Sequence, residues 1–353
     1  MTKTTVTANG SPPAPAGIGR GLPALPQTPY RLKDIEFTDL IMSANGACLM
    51  RGVETPDNGP LVSVNDEYIE DINDIRLACI RKGQHENEFF HDHDEVRYRV
   101  SVITDLDGTW YALRKSKTVI PPIGSLGFPR PVVTHLAKLA KRKGLIILAG
   151  ATGQGKTTTA YSILNAYLHS FGDIAVTIED PPEMMLNGPR GKAGHCFQLK
   201  LGPEESFGDA LERSMRYTPK YILMGEIRRA HDASQALRAA ISGHLVLTTI
   251  HAGNVVEAIN SILTLTARAD DNVNFAREQL ANGLAGVIHQ RLLTHRTNGR
   301  SRKYLKTEML FVGDDPGIRS MIREGDTSQL GTFIAQQKSL VENDREPVRL
   351  EAN

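Results

Sequence analysis

Residues Gly150 to Thr157 read GATGQGKT, directly after the apolar run Leu145-Ile146-Ile147-Leu148 and directly before a helix-forming stretch. Strand, glycine-rich loop and helix in this order make a P-loop. The backbone N–H groups of Gly150, Ala151, Thr152, Gly153, Gln154 and Gly155, with the positive end of the helix that Thr158 opens, are expected to cradle the β- and γ-phosphates of a nucleotide. Lys156 is expected to reach those phosphates as a point charge, and the Thr157 hydroxyl to bind Mg²⁺. A glycine turn of no function needs neither the buried strand before it nor the helix after it.

Beyond the loop, strands and helices alternate. Leu145–Ala149, Ile174–Ile178, Tyr221–Gly225 and Leu245–Thr249 read as short buried strands. Helical patterns near Thr157–His169, Phe207–Met215, Ala233–Ser242 and Val255–Leu265 separate them. This is an α/β pattern, a mostly parallel sheet covered on both faces. From Asn272 onward the pattern reads as helical only, with Leu280, Leu284, Ile288 and Leu292 on one face.

The region before the P-loop has another character. Residues 1–30 carry six prolines, four glycines and no acid, which reads as a disordered arm. Residues 31–122 alternate short apolar patches with turn signals around a helical pattern at Tyr68, Ile72, Ile75, Leu77 and Ile80, a small α+β domain. Pro121-Pro122 and the Gly and Pro residues after it mark a linker, taken as 123–132; an ATPase core at 133–270 and a C-terminal helical region at 271–353 follow. Charge is segregated: Asp34 to Glu95 holds fifteen acids and four Lys or Arg, and Arg97 to Lys143 holds ten bases and only Asp105 and Asp107. Either head-to-tail contacts between subunits or plain solvated faces account for that.

The net charge of +1 excludes an overall field that draws the chain to nucleic acid or to membrane. Cys48, Cys79 and Cys196 form no CxxC pair and suit a reducing cytoplasm better than a disulfide scaffold or zinc site. No apolar run has the length of a membrane span, and Met1 to Tyr30 lacks a signal-peptide core, so membrane association is expected through partners. His85, His91 and His93, with Asp92 and Asp94 between, read more simply as the approach to a strand than as a metal cluster.

Three polar clusters lie at predicted strand ends, where such a sheet places its ligands. Glu179-Asp180 follows Ile174–Ile178, and paired carboxylates there can bind or activate a water. Glu226 ends Tyr221-Ile222-Leu223-Met224-Gly225 as an acid ends a Walker B strand; it can hold Mg²⁺ through water, or orient and deprotonate the attacking water. His251 follows Leu245–Thr249, a place from which a histidine senses γ-phosphate.

The ordered set GATGQGKT, TIEDPPE, ILMGEIR and GHLVLTTIHAG resembles the Walker A, Asp box, Walker B and His box of the type II/type IV secretion ATPase superfamily. RYRVS at Arg97–Ser101 with Arg114 resembles its N-domain arginine strands, SLGFP at Ser125–Pro129 its linker, and HQRLL at His289–Leu293 a C-domain helix. GIRSMIREG at Gly317–Gly325 resembles a motif of the type IV pilus retraction motors. The likeness runs from about Arg97 to Gln337. The short N-terminal region and the lack of a CxxC insert favour the retraction and type IVB secretion or conjugation branch over pilus-extension ATPases.

This resemblance implies a RecA-like P-loop domain with a PAS-like N-terminal domain, working as a homo-hexamer on ATP and Mg²⁺. It implies Glu226 as catalytic base or magnesium partner, Glu179 as second acid, His251 as a phosphate-proximal coupling residue, and Arg99 and Arg114 (with Arg97 a third candidate) as arginine fingers. The partners it implies are platform proteins at the cytoplasmic face of a bacterial inner membrane, with no direct nucleic acid. One departure stands out: Arg228-Arg229 occupies the place where the family carries Arg-Asp. The alternatives are a RecA-like nucleic-acid translocase or helicase, which lacks support because no aromatic-plus-basic stripe accompanies the P-loop, and a regulatory subunit that binds without hydrolysing.

Overall fold

The computed structural model describes residues 31–53, 60–64, 68–116, 119–202, 204–297 and 300–350; the arm expected at 1–30 lies outside the described residues. The described residues divide into two compact units, one within 31–87 with Val102–Ala112, the other Glu88–Ser101 with 113–350.

A six-stranded sheet runs in the order β3-β2-β1-β6-β5-β4, from β1 (Asp39–Ser43), β2 (Cys48–Arg51), β3 (Leu61–Ser63), β4 (Glu88–His93), β5 (Val96–Asp105) and β6 (Gly108–Lys115). The helix α1 (Ile69–Gly83) buries Ile72, Ile75 and Cys79, a stripe at three- and four-residue spacing. Leu77, included in the sequence pattern for this helix, is 57% exposed.

A second sheet of eight strands has the order β14-β13-β7-β12-β11-β8-β10-β9. Its members are β7 (Gly144–Ala149), β8 (Asp173–Ile178), β9 (Gly188–Arg190), β10 (Gly194–Leu199), β11 (Tyr221–Glu226), β12 (Leu245–Ile250), β13 (Leu284–Thr297) and β14 (Arg300–Phe311). Pairing is parallel from β13 across to β10, and β14 and β9 add antiparallel edges. The helices are α2 (Arg130–Leu139), α3 (Lys156–Phe171), α4 (Phe207–Met215), α5 (Ala230–Ile241), α6 (Val255–Asp270), α7 (Val273–Gly283), α8 (Pro316–Glu324) and α9 (Leu330–Glu342).

The core explains why the central strands read as unbroken apolar runs. Along β7, Leu145, Ile147 and Ala149 enter one cluster with residues of α5, α6 and α7, while Ile146 and Leu148 enter another with residues of α2 and α3. A strand buried on both faces gains nothing from alternating polar residues. Helix starts are set locally: Ser206 and Asp209 form a capping box on α4, and Asn254 caps α6 through the Glu257 N–H.

The C-terminal region corrects the helical expectation. Helices α7, α8 and α9 are present, but Leu284–Thr297 and Arg300–Phe311 are the two longest strands of the sheet, so HQRLL at 289–293 is strand and not helix. Leu284, Ile288 and Leu292 recur every fourth residue. That spacing fits one face of a helix and of a regular strand, whose period is two, but a register shift between Leu284 and Gly286 sends Leu284 into the cluster with α5, α6 and α7 and Ile288 into the one with α2 and α3. Pairing to β7, Leu284 with Leu145 and Ile288 with Leu148, decides between them. The short β9 and β10 also had no counterpart in the sequence pattern.

Candidate active site

The glycine-rich loop leaves β7 at Gly150, where φ is +147°, and turns again at Gly153 (+76°) and Gly155 (+82°). These backbone conformations favour glycine. Space adds a second reason at Gly150, where a Cβ would lie 2.6 Å from the Gln290 carbonyl oxygen. Gly155 is the N-cap of α3 and supplies no side-chain cap, so the first N–H groups of that helix are left for an anion.

Lys156 is the first residue of α3 and is buried, with Nζ donating to the carbonyls of Gly150 at 2.7 Å and Ala151 at 2.9 Å. Burial pulls its pKa below the ordinary lysine value, and the charges of Glu226 and Glu183 act the other way. The ammonium therefore sits within the curl of the loop. Thr157 and Thr158 follow it, half-buried, on the first turn.

A side-chain clamp holds this loop against β13. Gln290 Nε2 donates to the Gln154 carbonyl oxygen at 2.6 Å, and the Leu292 N–H donates to Gln154 Oε1 at 2.6 Å. Gln290 is 1% exposed. Sequence reasoning did not find this role. HQRLL was read there as a helix, which hid the pairing of this segment with β7.

The acids arrive from neighbouring strand ends. Glu226 closes β11 at a register shift against β12, where the Thr249 hydroxyl donates to the Gly225 carbonyl at 2.8 Å. Its Oε1 lies 3.2 Å from His251 Nε2, and its Oε2 accepts from Arg228 Nη2 at 2.6 Å. Glu179 follows β8 and is buried, accepting the Tyr161 hydroxyl at 2.6 Å on Oε1. Burial raises its pKa to about 7, against the lowering effect of the Tyr161 hydrogen bond.

A single cleft of about 630 Å³ gathers Thr152, Gly153, Gly155, Lys156, Thr157, Thr158, Glu179, Glu226 and His251, together with Asp180 and Glu183. Arg99, which belongs to the same compact unit as the P-loop, also lines it. Its Nη2 pairs with Glu88 at 3.0 Å, and Arg97 pairs with Asp92 at 2.5 Å. Arg114 is exposed on β6 and is not among the residues lining the cleft.

Where the family's Asp follows the Walker B Arg, this chain has Arg229, exposed at the cleft. A buried aspartate appears three residues later: Asp232 lines the cleft and accepts the Gly208 N–H at 2.9 Å, tying α5 to the start of α4. The GIRSMIREG segment falls on α8 and its C-terminal cap, Gly325. Arg319 of α8 donates to the carbonyls of Ala281 and Gly313, joining that helix to the end of α7.

These residues fit a nucleotide triphosphate and its metal. Glycine-only curvature leaves room for a phosphate against backbone N–H groups, and a buried ammonium faces the same space. The Thr157 hydroxyl with the Glu226 and Glu179 carboxylates is an all-oxygen donor set of the kind a magnesium ion takes.

The type II/IV secretion system protein family matches residues 87–341. An uncharacterized Escherichia coli protein, YggR, is 32% identical over 287 residues, which cover 80% of this chain and 81% of that protein. The Neisseria gonorrhoeae twitching motility protein is 31% identical over 266 residues, 74% of this chain and 67% of its own length. Among solved structures, the pilus retraction motor PilT with bound ADP superimposes with a TM-score of 0.72 at 27% identity, over 88% of this chain and 90% of that one.

Proposed function

The chain belongs to the type II/IV secretion system protein family, and from that membership we propose that it is an ATP hydrolase driving a type IV pilus or a type IVB secretion or conjugation machine. The observation that carries the reading is the convergence of Lys156, Glu226 and Glu179 on one cleft at the strand ends. The names of the twitching motility relative and of the pilus retraction motor support a motor of this kind. The domain scheme proposed with it is 31–122, a linker at 123–132, a RecA-like core at 133–270 and a C-terminal region at 271–353.

In the reaction, water attacks the γ-phosphate, the bond from its phosphorus to the bridging oxygen of the β-phosphate breaks, and ADP leaves with no covalent intermediate on the protein. The loop N–H groups and Lys156 would hold the β- and γ-phosphates; Thr157 directly and Glu226 through water would hold a magnesium ion, which would neutralise charge on the phosphate oxygens. Glu226 is the proposed base, with His251 beside it to report the state of the phosphate. Arg99, and Arg114 as a second candidate, supply charge to the γ-phosphate as fingers.

Glu226→Gln keeps the size of the side chain and removes its basicity. It is expected to bind ATP with near-normal affinity and to lose turnover by about 10²–10⁴-fold. Equilibrium ATP binding and phosphate release on the same preparation check this. Near-normal turnover in Glu226→Gln, with loss in Glu179→Gln, assigns the base to Glu179 instead.

The proposed working form is a homo-hexamer docked on platform proteins at the cytoplasmic face of the inner membrane. Acidic 34–95 and basic 97–143 give adjoining subunits complementary charge. Light-scattering mass is expected to rise to that of six chains with a non-hydrolysable ATP analogue. A monomer at the highest soluble concentration, nucleotide present, counts against the ring.

A further inference from the structure

Beyond His289, where its pairing with β7 ends, β13 pairs with β14 alone among the described residues. This two-stranded arm is basic. Residues 291–306 hold Arg291, Arg296, Arg300, Arg302, Lys303 and Lys306, and no Asp or Glu. The net charge of +1 therefore conceals a local excess of positive charge. Directly opposed residues of an antiparallel pair share a face, and faces alternate along each strand. Arg291 stands opposite Lys306 and Leu293 opposite Tyr304, with His295 two positions further out on the same face. Leu292 and Leu305 oppose each other on the other face. The arm is anchored at its root: the Leu292 N–H donates to Gln154 Oε1 at 2.6 Å, and Leu305 packs against the core cluster that holds residues of α2 and α3. On the first face Arg291, His295, Tyr304 and Lys306 are exposed, Tyr304 at 52%. No ion pair among the described residues involves Arg291 or Lys306.

We propose that this face of the β13–β14 arm binds single-stranded nucleic acid, with Arg291 and Lys306 on phosphates and Tyr304 stacked on a base. Charge complementarity selects a polyanion, because the arm carries bases without acids. The exposed ring narrows the class. A single strand offers base faces to an aromatic side chain set among cations. A duplex keeps those faces inside its own stack, and an anionic bilayer has none. Anchoring at the root holds the arm in place before the partner arrives, which lowers the ordering cost of binding. The sequence pattern showed no aromatic-plus-basic stripe because it took HQRLL as helix. Only pairing with β14 brings Arg291 to Lys306 and Leu293 to Tyr304. The surface lies outside the set of residues lining the phosphate cleft, so it stands independently of the hydrolase reading.

The test titrates the full chain into a dye-labelled oligothymidylate without terminal phosphates, followed by fluorescence anisotropy at several salt concentrations. The wild type is expected to bind, with affinity falling as salt rises. Tyr304→Ala is expected to weaken binding by about 5–150-fold with the salt dependence unchanged. Tyr304→Phe keeps a ring to stack on and is expected to bind as the wild type does. Arg291→Ala combined with Lys306→Ala removes two phosphate contacts, so the slope of log affinity against log salt is expected to become shallower by about 1.4. Lys156→Ala is expected to bind the oligonucleotide as the wild type does, which separates the arm from the phosphate cleft. A wild type that does not bind, a Tyr304→Ala that binds equally well, or loss of binding in Lys156→Ala overturns the proposal. Phosphatidylglycerol vesicles form a parallel arm of the experiment, and binding to them with none to the oligonucleotide gives the surface to lipid and overturns it too. So does tighter binding to the same strand once it is hybridised into a duplex.

Discussion

Lys156→Ala is expected to lose essentially all turnover and to bind ATP weakly while remaining folded. The ammonium is the one buried cation among the residues lining the phosphate cleft, with Nζ at 2.7 Å from the Gly150 carbonyl and 2.9 Å from that of Ala151. Charge-assisted hydrogen bonds to phosphate contribute about 1.5–3 kcal/mol, which is roughly 10–100-fold in affinity. A donor aimed at charge that develops in the transition state adds about 10²–10³ in kcat. The two multiply in kcat/KM. Isothermal titration with ATP, phosphate release and a thermal melt on one preparation check the three parts. Turnover within a few-fold of wild type sinks the placement of phosphate in this loop.

Arg99→Ala is expected to lower turnover by about 10³–10⁵-fold while ADP affinity stays near the wild-type value. ADP has no γ-phosphate for a finger to touch, and Arg99 lines the cleft that holds Lys156 and Glu226. The competing reading is that Arg99 only ties β5 to β4 through Glu88, a pair whose side chains are 34% and 50% exposed. Exposed pairs contribute about 0–1 kcal/mol, so that reading expects a slightly lower melting temperature and intact turnover. Glu88→Ala separates the two, because it breaks the pair and leaves the guanidinium. Arg114→Ala completes the set: loss of turnover there, with Arg99→Ala active, moves the finger to Arg114. Full activity in both variants retires the finger altogether.

Much of the site was legible in the sequence because its parts are local. GATGQGKT works through backbone conformation and the start of one helix, and both are specified within about ten residues. Glu226 and His251 were legible because each ends a run of apolar residues, and in a parallel sheet the carboxyl ends of strands share one edge. The partners of these residues were not legible. Nothing in the spacing of Gln154 and Gln290, 136 positions apart, announces a clamp, and Tyr161 resembles any apolar residue on a helix face until Glu179 is placed against it.

What the sequence by itself determined is the glycine-rich turn and the helix that starts after it, the alternation of strand and helix through the core and the carboxylates that stand at the strand ends, since each depends on neighbours along the chain. Tertiary structure alone decided that Leu284–Thr297 and Arg300–Phe311 are strands, because a four-residue repeat fits a helix and a regular strand alike and only pairing with β7 discriminates. It also buried Glu179, and burial raises the pKa of that carboxyl to about 7. That carboxyl is buried among Tyr161, Glu183 and Cys196, residues from three separate segments, and desolvation is a property of the packed interior that no stretch of sequence carries alone.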